Sequence, residues 1–288
     1  MNQRVVITGM GIYSCLGTSI EEVTESLRQG KSGIIFDEER KEFGFKSALT
    51  GMVPQADLKP FLSRRQRITV GQETEFAYMA TMEALKNANL TEEYIKSNEV
   101  GIIYGNDSVS KAIIDAIDIV REKKDTELIG SGAIFKSMNS TVTMNLATIF
   151  ELKGINMTIS AACASGSHAV GLGFMMIKDG MQDMVICGGA QEINQYAMAS
   201  FDGLGVFSSH EENPIHACRP FDKNRDGLVP SGGGATLILE SYESAIKRGA
   251  PIIAEVLGYG FSSNGGHIST PNVDGPATAM ERALKQAN

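Results

Sequence analysis

The segment from residue 154 to residue 173 constrains the fold more than any other part of the chain. It reads GINMTISAACASGSHAVGLG and carries no acidic or basic side chain apart from one histidine. The apolar and β-branched residues over 155–160 predict a short strand, and the small residues that follow predict an abrupt turn into a helix. Small residues allow this because the chain can bend sharply and two backbones can approach closely. Cys163 lies at that turn.

Cys163 is therefore a candidate nucleophile. At a helix N-terminus the unpaired N–H groups and the helix dipole favour a thiolate. The same N–H groups can hold a developing oxyanion on an acyl group attached to the sulfur. The alternative is a buried, inert cysteine in a glycine-rich helix, and local chemistry alone leaves both interpretations open.

Length and charge exclude several function classes. A chain of 288 residues predicts one large domain or two fused ones. The net charge of −8 argues against wholesale binding of nucleic acid. The N-terminal apolar run is too short for a signal peptide, and Asn156 and His168 make residues 154–177 a buried unit rather than a membrane span. We expect a cytoplasmic protein with no nucleic-acid or membrane partner.

The four cysteines lie far apart and form no Cys-x-x-Cys pair. This spacing gives neither a disulfide framework nor a zinc site, and it indicates a reducing compartment. Cys187 lies in an apolar strand pattern and reads as a small core residue. The set comprises Cys15, Cys163, Cys187 and Cys218.

Strand and helix patterns alternate with short connections, which is typical of a parallel α/β sheet. Ser19 and Glu22 form a capping-box signature, and Ser241 and Gly249 bracket a later helix. The turn after the first strand lacks the third glycine of a dinucleotide-binding fingerprint, since Ser14 stands there. Strands are predicted over residues 5–8, 100–104, 155–160, 184–187, 236–239 and 252–259. Helices are predicted over residues 19–30, 64–90, 111–124, 140–152, 195–204, 243–247 and 277–285, and a further helix follows the Cys163 turn and ends at Gly180.

Three arginines open the long helical pattern that begins at residue 64. They are Arg64, Arg65 and Arg67. Such a cluster is most often a solvated helix start. In a chain this acidic it is also a candidate docking patch for an acidic partner, with Lys123 and Lys124 as a second candidate.

Four segments resemble the β-ketoacyl-[acyl-carrier-protein] synthases, elongating condensing enzymes of the thiolase superfamily. The nucleophile segment SAACASGSHA resembles their active-site signature. The other three are VVITGMG near the N-terminus, RPFDKNRDG at residues 219–227 and AEVLGYG at residues 254–260. These segments are colinear with the family and cover essentially the whole chain. The bacterial synthases I and II of fatty-acid synthesis are the most similar members.

The resemblance implies a thiolase-like fold of layered mixed sheets and helices. Such a fold has two pseudo-repeated halves, each with a five-stranded mixed sheet, and usually forms a homodimer. Residues 1–250 would be the N-terminal half that carries the nucleophile, and residues 251–288 the beginning of an incomplete C-terminal half. Cys163 would accept the acyl group, whereas His168 would be a structural histidine. Phe201 and Met138 would line the acyl tunnel, with ordinary core packing as the alternative.

The same resemblance implies no metal or nucleotide cofactor, since the substrates arrive on the phosphopantetheine of an acyl carrier protein. That acidic carrier protein is the partner expected at the arginine patch. The reaction would be a decarboxylative Claisen condensation of an acyl thioester with malonyl thioester in fatty-acid elongation. Two alternatives are a condensing enzyme of polyketide or aryl-polyene assembly and a non-catalytic pairing subunit. Cys163 argues against pairing subunits of the chain-length-factor kind, which typically lack the nucleophilic cysteine.

The family's two active-site histidines, in C-terminal His-Gly-Thr-Ser-Thr-Pro and Gly-His motifs, have no counterpart here. His210 and His216 fall in a surface-like loop, and His267 matches a loop near the site mouth. The chain therefore reads as a truncated, cleaved or partial synthase. We expect it to accept an acyl group slowly and not to condense it.

Overall fold

The computed structural model describes residues 3–288, and its main feature is a mixed sheet of six strands. In spatial order they run β5-β4-β6-β7-β1-β8, while β2 and β3 form a separate antiparallel pair. In chain order the strands are β1 (Val5–Tyr13), β2 (Ile34–Phe36), β3 (Leu49–Gly51), β4 (Gly101–Gly105), β5 (Asn156–Ile159), β6 (Met184–Gln191), β7 (Gly233–Ser241) and β8 (Ala254–Val256).

Twelve α-helices surround these strands within the described part of the chain. Short 3₁₀ turns at Glu127–Ile129 and Pro214–His216 add to them. The helices are α1 (Ile20–Arg28), α2 (Glu38–Glu42), α3 (Arg64–Arg67), α4 (Gln72–Asn87), α5 (Glu92–Ser97), α6 (Lys111–Lys123), α7 (Ala133–Lys136), α8 (Thr141–Phe150), α9 (Ser165–Lys178), α10 (Gln195–Leu204), α11 (Tyr242–Arg248) and α12 (Asp274–Ala287). None of the described helices is long and apolar enough to cross a bilayer.

The prediction of a parallel sheet is wrong for two of the six strands, because β7 and β8 run in the direction opposite to the other four. Strands β5, β4 and β6 are parallel, but β7 runs antiparallel to both β6 and β1, and β8 runs antiparallel to β1. The connection from β6 to β7 covers residues 192–232 and contains α10 and a 3₁₀ turn followed by irregular chain, and it returns the chain in the opposite direction. The sheet is mixed, as the family resemblance implied, but it has six strands where the resemblance implied five.

The first strand is longer than predicted. β1 continues through Gly9 and Gly11 to Tyr13, with an irregularity in register between Ile7 and Gly9. A Cβ added at Gly9 would lie 2.2 Å from the carbonyl oxygen of Ala84, and one at Gly11 would lie 2.0 Å from that of Ala80. These glycines therefore bring the strand against the backbone of α4, and they form no turn.

The helical pattern predicted over residues 64–90 is two helices, α3 and α4. The Ser63–Gln66 capping box begins α3, and Gly71 is the N-cap of α4. Between them the Thr69 hydroxyl bonds to the Gln66 carbonyl at 2.9 Å and to the Asn145 side chain at 2.6 Å. This local bonding, followed by a glycine, replaces a continuous helical ladder.

Predicted helix boundaries elsewhere are largely confirmed. Ser19 caps α1, although the Glu22 carboxylate bonds to the N–H of Thr18 instead of closing a capping box. Ser241 caps α11, and Gly249 ends it in the left-handed conformation. The strand predicted over 252–259 shortens to β8, which joins the same sheet beside β1. The division at residue 250 remains a prediction.

The two faces of the sheet carry separate cores because side chains alternate along each strand. Ile102, Tyr104 and Ile186 face α4 and α8 in one core. Ile103 and Cys187 face α9 in the other. Helix α9, which follows the predicted nucleophile, is thus fixed along one face of the parallel strands.

Candidate active site

The strand–turn–helix unit around Cys163 forms as predicted. β5 ends at Ile159, α9 begins at Ser165, and Cys163 lies exposed between them. Ala162 has a φ of +48°, the left-handed region that costs free energy for a residue with a Cβ. The cysteine is thus presented by a strained turn.

Ser165 stabilises this turn through hydrogen bonds to Ala161 and Ala162. Its hydroxyl accepts the N–H of Ala161 at 2.8 Å and donates to the carbonyl of Ala162 at 2.7 Å. Its own N–H also donates to the Ala162 carbonyl, at 3.1 Å. Because Ser165 is buried and bonded to both residues before Cys163, the turn has one defined shape.

Three glycines form the floor beneath the turn. A Cβ at Gly105, the last residue of β4, would lie 2.5 Å from the backbone nitrogen of Gly166. A Cβ at Gly189 in β6 would lie 3.2 Å from the Cα of Gly166. The first turn of α9 therefore rests directly on the ends of two parallel strands, and the lack of a side chain matters most at Gly105. A Cβ at Gly166 itself would come no closer than 3.7 Å to another atom.

Asp107 lies beside the turn, two residues after β4. Its Oδ1 atom accepts hydrogen bonds from the Ser160 hydroxyl at 2.7 Å and from the N–H of Ala162 at 2.9 Å. The carboxyl ends of β4 and β5 meet at one edge because the strands are parallel neighbours. That arrangement brings Asp107 next to the nucleophile turn.

An open cavity of about 410 Å³ lies above Cys163. Backbone and small side chains dominate its walls, and Asp107 is its only charged lining residue within 3–288. The lining residues are Ile12, Tyr13, Ser14, Gly105, Asp107, Ala162, Cys163, Ser165, Gly166, Gly189, Ala190, Gln191, Ser231, Gly232, Gly233, Gly234 and Ala235. The arrangement offers an accessible thiol, the start of a helix and room for an acyl chain or its carrier arm.

None of the four histidines, all of which are described, lines this cavity. His168 lies in α9 and its Nδ1 atom is hydrogen-bonded to the Tyr259 hydroxyl. His210 pairs with Glu212 at 2.7 Å. His267 accepts the N–H groups of Ser269 and Thr270 in an exposed loop. His216 lies in the Pro214–His216 turn.

The two residues predicted to line an acyl tunnel lie outside this cavity. Phe201, in α10, is 47% exposed and stacks on Phe207 with ring centroids 6.2 Å apart. Met138 is 40% exposed and precedes Asn139, whose amide donates to the Asp107 carbonyl at 2.7 Å. A tunnel role for either residue remains a prediction.

The arginine cluster lies on the short helix α3. Arg64 and Arg65 are exposed, whereas Arg67 is half-buried and donates to the carbonyl of Leu62 at 2.5 Å. The guanidinium groups of Arg64 and Arg65 are therefore exposed to solvent.

Sequence reasoning missed Asp107 and a pair of buried carboxylates, Glu73 and Glu192. Both glutamates are about 1% exposed, and burial together with Glu192 raises the pKa of Glu73 to about 7. Asp107 was discoverable from its place just after a buried strand, where polar residues at the sheet edge commonly serve a site. Buried glutamates at helix and strand ends give no such local signal.

The comparisons with known proteins agree with this geometry. The family model described as "Beta-ketoacyl synthase, N-terminal domain" matches residues 2–245.

This chain belongs to the β-ketoacyl synthase family.

Curated relatives of this β-ketoacyl synthase include 3-oxoacyl-[acyl-carrier-protein] synthase 1 of Buchnera aphidicola subsp. Schizaphis graminum, 37% identical over 287 residues. The corresponding synthase 1 of Escherichia coli K12 is 35% identical over 285 residues. The alignments cover 99% and 98% of this chain and 70% of each relative.

Solved structures of β-ketoacyl synthases superpose closely on the chain. A β-ketoacyl synthase from Burkholderia phymatum STM815 matches with a TM-score of 0.93 at 34% identity, covering 99% of this chain and 70% of that one. The ishigamide ketosynthase/chain length factor matches with a TM-score of 0.90 at 31% identity, covering 100% and 70%. The fold is therefore thiolase-like, as the sequence resemblance implied.

Proposed function

We propose that this β-ketoacyl synthase acts as a 3-oxoacyl-[acyl-carrier-protein] synthase of fatty-acid elongation, with Cys163 as the acyl-accepting nucleophile. The observation that carries the proposal is the exposed Cys163 thiol at the start of α9, inside an open cavity. The names of the curated relatives support the same activity.

The first half-reaction uses groups in this cavity. The Cys163 thiolate attacks the carbonyl carbon of an acyl thioester, and the oxygen becomes an oxyanion. We assign the backbone N–H of Cys163, at the positive end of α9, as one donor to that oxyanion. Collapse of the intermediate breaks the original C–S bond, leaves acyl-Cys163, and releases the phosphopantetheine thiol after it takes up a proton.

The second half-reaction also requires stabilisation of an enolate. Malonyl thioester loses CO₂, and the resulting enolate attacks the carbonyl carbon of acyl-Cys163. The C–S bond to Cys163 then breaks, which regenerates the Cys163 thiolate and gives the 3-oxoacyl thioester. The enolate requires hydrogen-bond donors, and no histidine lines the cavity. Losing one such donor costs about two to three orders of magnitude in rate. We propose that the 288-residue chain accepts an acyl group but condenses it slowly or not at all. No metal or nucleotide cofactor is part of this proposal.

Mass spectrometry of acyl-Cys163 beside CO₂ release from labelled malonyl-carrier protein tests both halves. We expect acylation at Cys163 without CO₂ release, and no acylation in Cys163→Ala. Acylation that persists in Cys163→Ala would overturn the assignment of the nucleophile. Formation of 3-oxoacyl product by this chain alone would show that the enolate donors lie among residues assigned no such role here.

A second candidate function is condensation in polyketide assembly. It is favoured by the likeness to the ishigamide ketosynthase/chain length factor and to the ketosynthase of the AntDE:AntF complex, whose TM-score is 0.86 at 30% identity. Supplying a β-keto acyl thioester and a saturated acyl thioester in competition distinguishes the two. Preferential loading of the β-keto donor favours the polyketide role.

We propose an acyl carrier protein as the partner and the patch of Arg64, Arg65 and Arg67 as its docking surface. In the AntDE:AntF structure a type II PKS acyl-carrier protein is in complex with its ketosynthase, which supports this partner class. Arg65 is exposed, so its charge is available to steer an acidic partner.

Reversing the charge with Arg65→Glu should slow association about three- to tenfold at low ionic strength and weaken its salt dependence. Stopped-flow binding of a fluorescent carrier protein measures both quantities. Lys124→Glu is the matched control, because Lys123 and Lys124 form the other basic candidate. A loss confined to Lys124→Glu places the docking surface at the end of α6 instead.

We also propose a homodimer in the cytoplasm. β5 is an edge strand that pairs only with β4, and its Asn156 and Met157 are exposed. An open edge of this kind can pair with the same edge of a second copy. The four cysteines are free, as in proteins of reducing compartments. Sedimentation equilibrium tests the dimer, and we expect a mass twice that of the chain. Thr158→Pro should reduce this mass to that of a monomer, because proline removes a backbone N–H from the edge strand. A monomeric parent protein at micromolar concentration would contradict the dimer.

A further inference from the structure

We infer that Asp107 is a positioning residue that holds the nucleophile turn in the shape acyl transfer requires. The inference rests on the proposed function, because it takes Cys163 as the acyl acceptor. Asp107 is hydrogen-bonded to Ser160 and Ala162, and Ser165 is hydrogen-bonded to Ala161 and Ala162, so the two residues hold the same short segment.

The contacts of Asp107 fall on the residues that set the direction of Cys163. One carboxylate oxygen accepts both the Ser160 hydroxyl at 2.7 Å and the Ala162 N–H at 2.9 Å. Ala162 holds a left-handed φ of +48° immediately before the nucleophile. A residue with a Cβ keeps that conformation only when its surroundings enforce it. The bond to Ala162 is one of the few contacts that do so.

Asp107 is itself fixed in place. Its carbonyl accepts the Asn139 amide at 2.7 Å, and the Asn139 carbonyl accepts the Asn106 amide at 2.9 Å. Further along the same loop, the buried Glu192 carboxylate accepts the N–H groups of Ser110 and Lys111. The loop after β4 is therefore anchored at both ends, and the backbone that carries the carboxylate is held in place.

Geometry rather than charge explains the benefit of this residue. Both groups that donate to this carboxylate oxygen, a hydroxyl and a backbone N–H, are neutral. The observed bonds need only an acceptor oxygen at the Oδ1 position, which an asparagine also supplies. Asp107→Asn therefore keeps the proposed role, whereas Asp107→Ala removes it.

Single-turnover transfer of a hexanoyl group from hexanoyl-pantetheine to Cys163, followed by mass spectrometry, is the test. In parallel, iodoacetamide alkylation of Cys163 measures access to the thiol without demanding a fixed direction of attack. Asp107→Ala should slow acylation about tenfold or more, because small misplacements of a nucleophile are costly. Its alkylation rate should stay within about threefold of the parent, because a small reagent tolerates a reoriented thiol.

Three further variants separate positioning from stability and charge. Asp107→Asn should restore acylation to within about threefold of the parent, since it keeps the acceptor. Ser160→Ala removes one of the two bonds and should give an intermediate acylation rate. Asp118→Ala, which removes an exposed carboxylate on α6, should leave acylation unchanged. Thermal unfolding of each variant shows whether folding is retained.

The outcomes are distinct. Acylation of Asp107→Ala at the parent rate overturns the inference and leaves the proposed function standing. Impairment of Asp107→Asn equal to that of Asp107→Ala overturns it in favour of a charge effect. Should Asp107→Ala fail to fold, an unchanged acylation rate in Ser160→Ala overturns it and a reduced rate supports it. Absence of any acyl group on Cys163 in the parent overturns the proposed function and this inference together.

Discussion

Two cysteines lie beside helix α9, and one is buried whereas the other is exposed. The middle of the helix covers Cys187, which is fully buried in β6, and a Cβ at Gly173 would lie 2.3 Å from the Cys187 sulfur. Its first turn presents Cys163, which is exposed above the sheet edge. Burial raises the pKa of the Cys187 thiol and so suppresses the nucleophilic thiolate. A cysteine that packs beneath the middle of α9 is therefore buried, whereas a cysteine at its first turn is accessible.

The remaining cysteines sharpen this lesson. Cys218 is exposed on the loop after the Pro214–His216 turn, and Cys15 is partly buried. Exposure alone therefore does not single out Cys163. What distinguishes it from Cys218 is the helix N-terminus and the defined turn that carries it.

Thiol labelling is the largest expected contrast. We expect iodoacetamide to alkylate Cys163 at least about a thousandfold faster than Cys187, because the buried thiol reacts only when the core opens. Cys218 should react at a rate between the two. Peptide mapping of the folded protein over time measures all four rates. Equal labelling of Cys163 and Cys218 would remove the advantage assigned to the helix terminus.

The buried carboxyl of Glu73 should give the second-largest effect, a pH dependence of the free energy of unfolding. Glu73 faces Glu192, Glu75 and Lys136, and burial raises its pKa to about 7. A carboxyl whose pKa is higher in the folded state lowers the free energy of unfolding as the pH rises from about 4.5 towards 7. Glu73→Gln should remove this loss and gain up to about 3 kcal/mol relative to the parent at pH 8, with little difference at pH 4.5.

Urea unfolding at both pH values measures this difference. Glu75, whose pKa burial also raises to about 7, stays in the variant and should leave a residual pH dependence. Glu281→Gln replaces an exposed carboxyl on α12 and should show no such trend. A pH-independent difference between Glu73→Gln and the parent would contradict a buried, titrating Glu73.

The close packing beneath the Cys163 turn should give the next-largest effect, a loss of stability. Gly105→Ala places a Cβ 2.5 Å from the backbone nitrogen of Gly166, where no flexible side chain can yield. We expect a loss of about 1–3 kcal/mol in the free energy of unfolding together with slower acylation of Cys163. Gly203→Ala is the matched control, since a Cβ there meets nothing within 4 Å and should be neutral or slightly stabilising. Chemical denaturation of the pair shows whether the floor is tight.

The smallest expected effect concerns the core thiol itself. Cys187→Ser puts a hydroxyl into the apolar core beneath α9 and should cost about 1–2 kcal/mol of stability. Acylation of Cys163 should be retained in the variant. Cys163→Ser should show the reverse pattern, with stability kept and acylation lost. If Cys187→Ser also abolished acylation while folded, the core beneath the middle of α9 and the Cys163 turn would be coupled rather than separate.

The sequence predicted more of the site than of the sheet. The turn at Cys163, the cap at Ser19 and the end of α11 at Gly249 all follow from local backbone preferences, and all are present. The extension of β1 past Gly9 was missed, because a glycine that packs against a helix looks like one that makes a turn. The two-helix break at residues 68–71 was missed, since Thr69 bonds to the distant Asn145.

The amino-acid sequence by itself determined a small-residue strand–turn–helix unit with a single thiol at the turn. It did so because periodicity and glycine or alanine content act on neighbouring residues. The burial of Cys187 was predicted from its apolar strand and is confirmed. Only the tertiary structure decided that β7 runs antiparallel between β6 and β1, and that Cys163, for which the sequence left burial open, is exposed. It also decided that Asp107 grips Ala162, 55 positions away. Such pairings depend on which strands become neighbours, and strand order is set by the free energy of packing the whole chain, which no local pattern records.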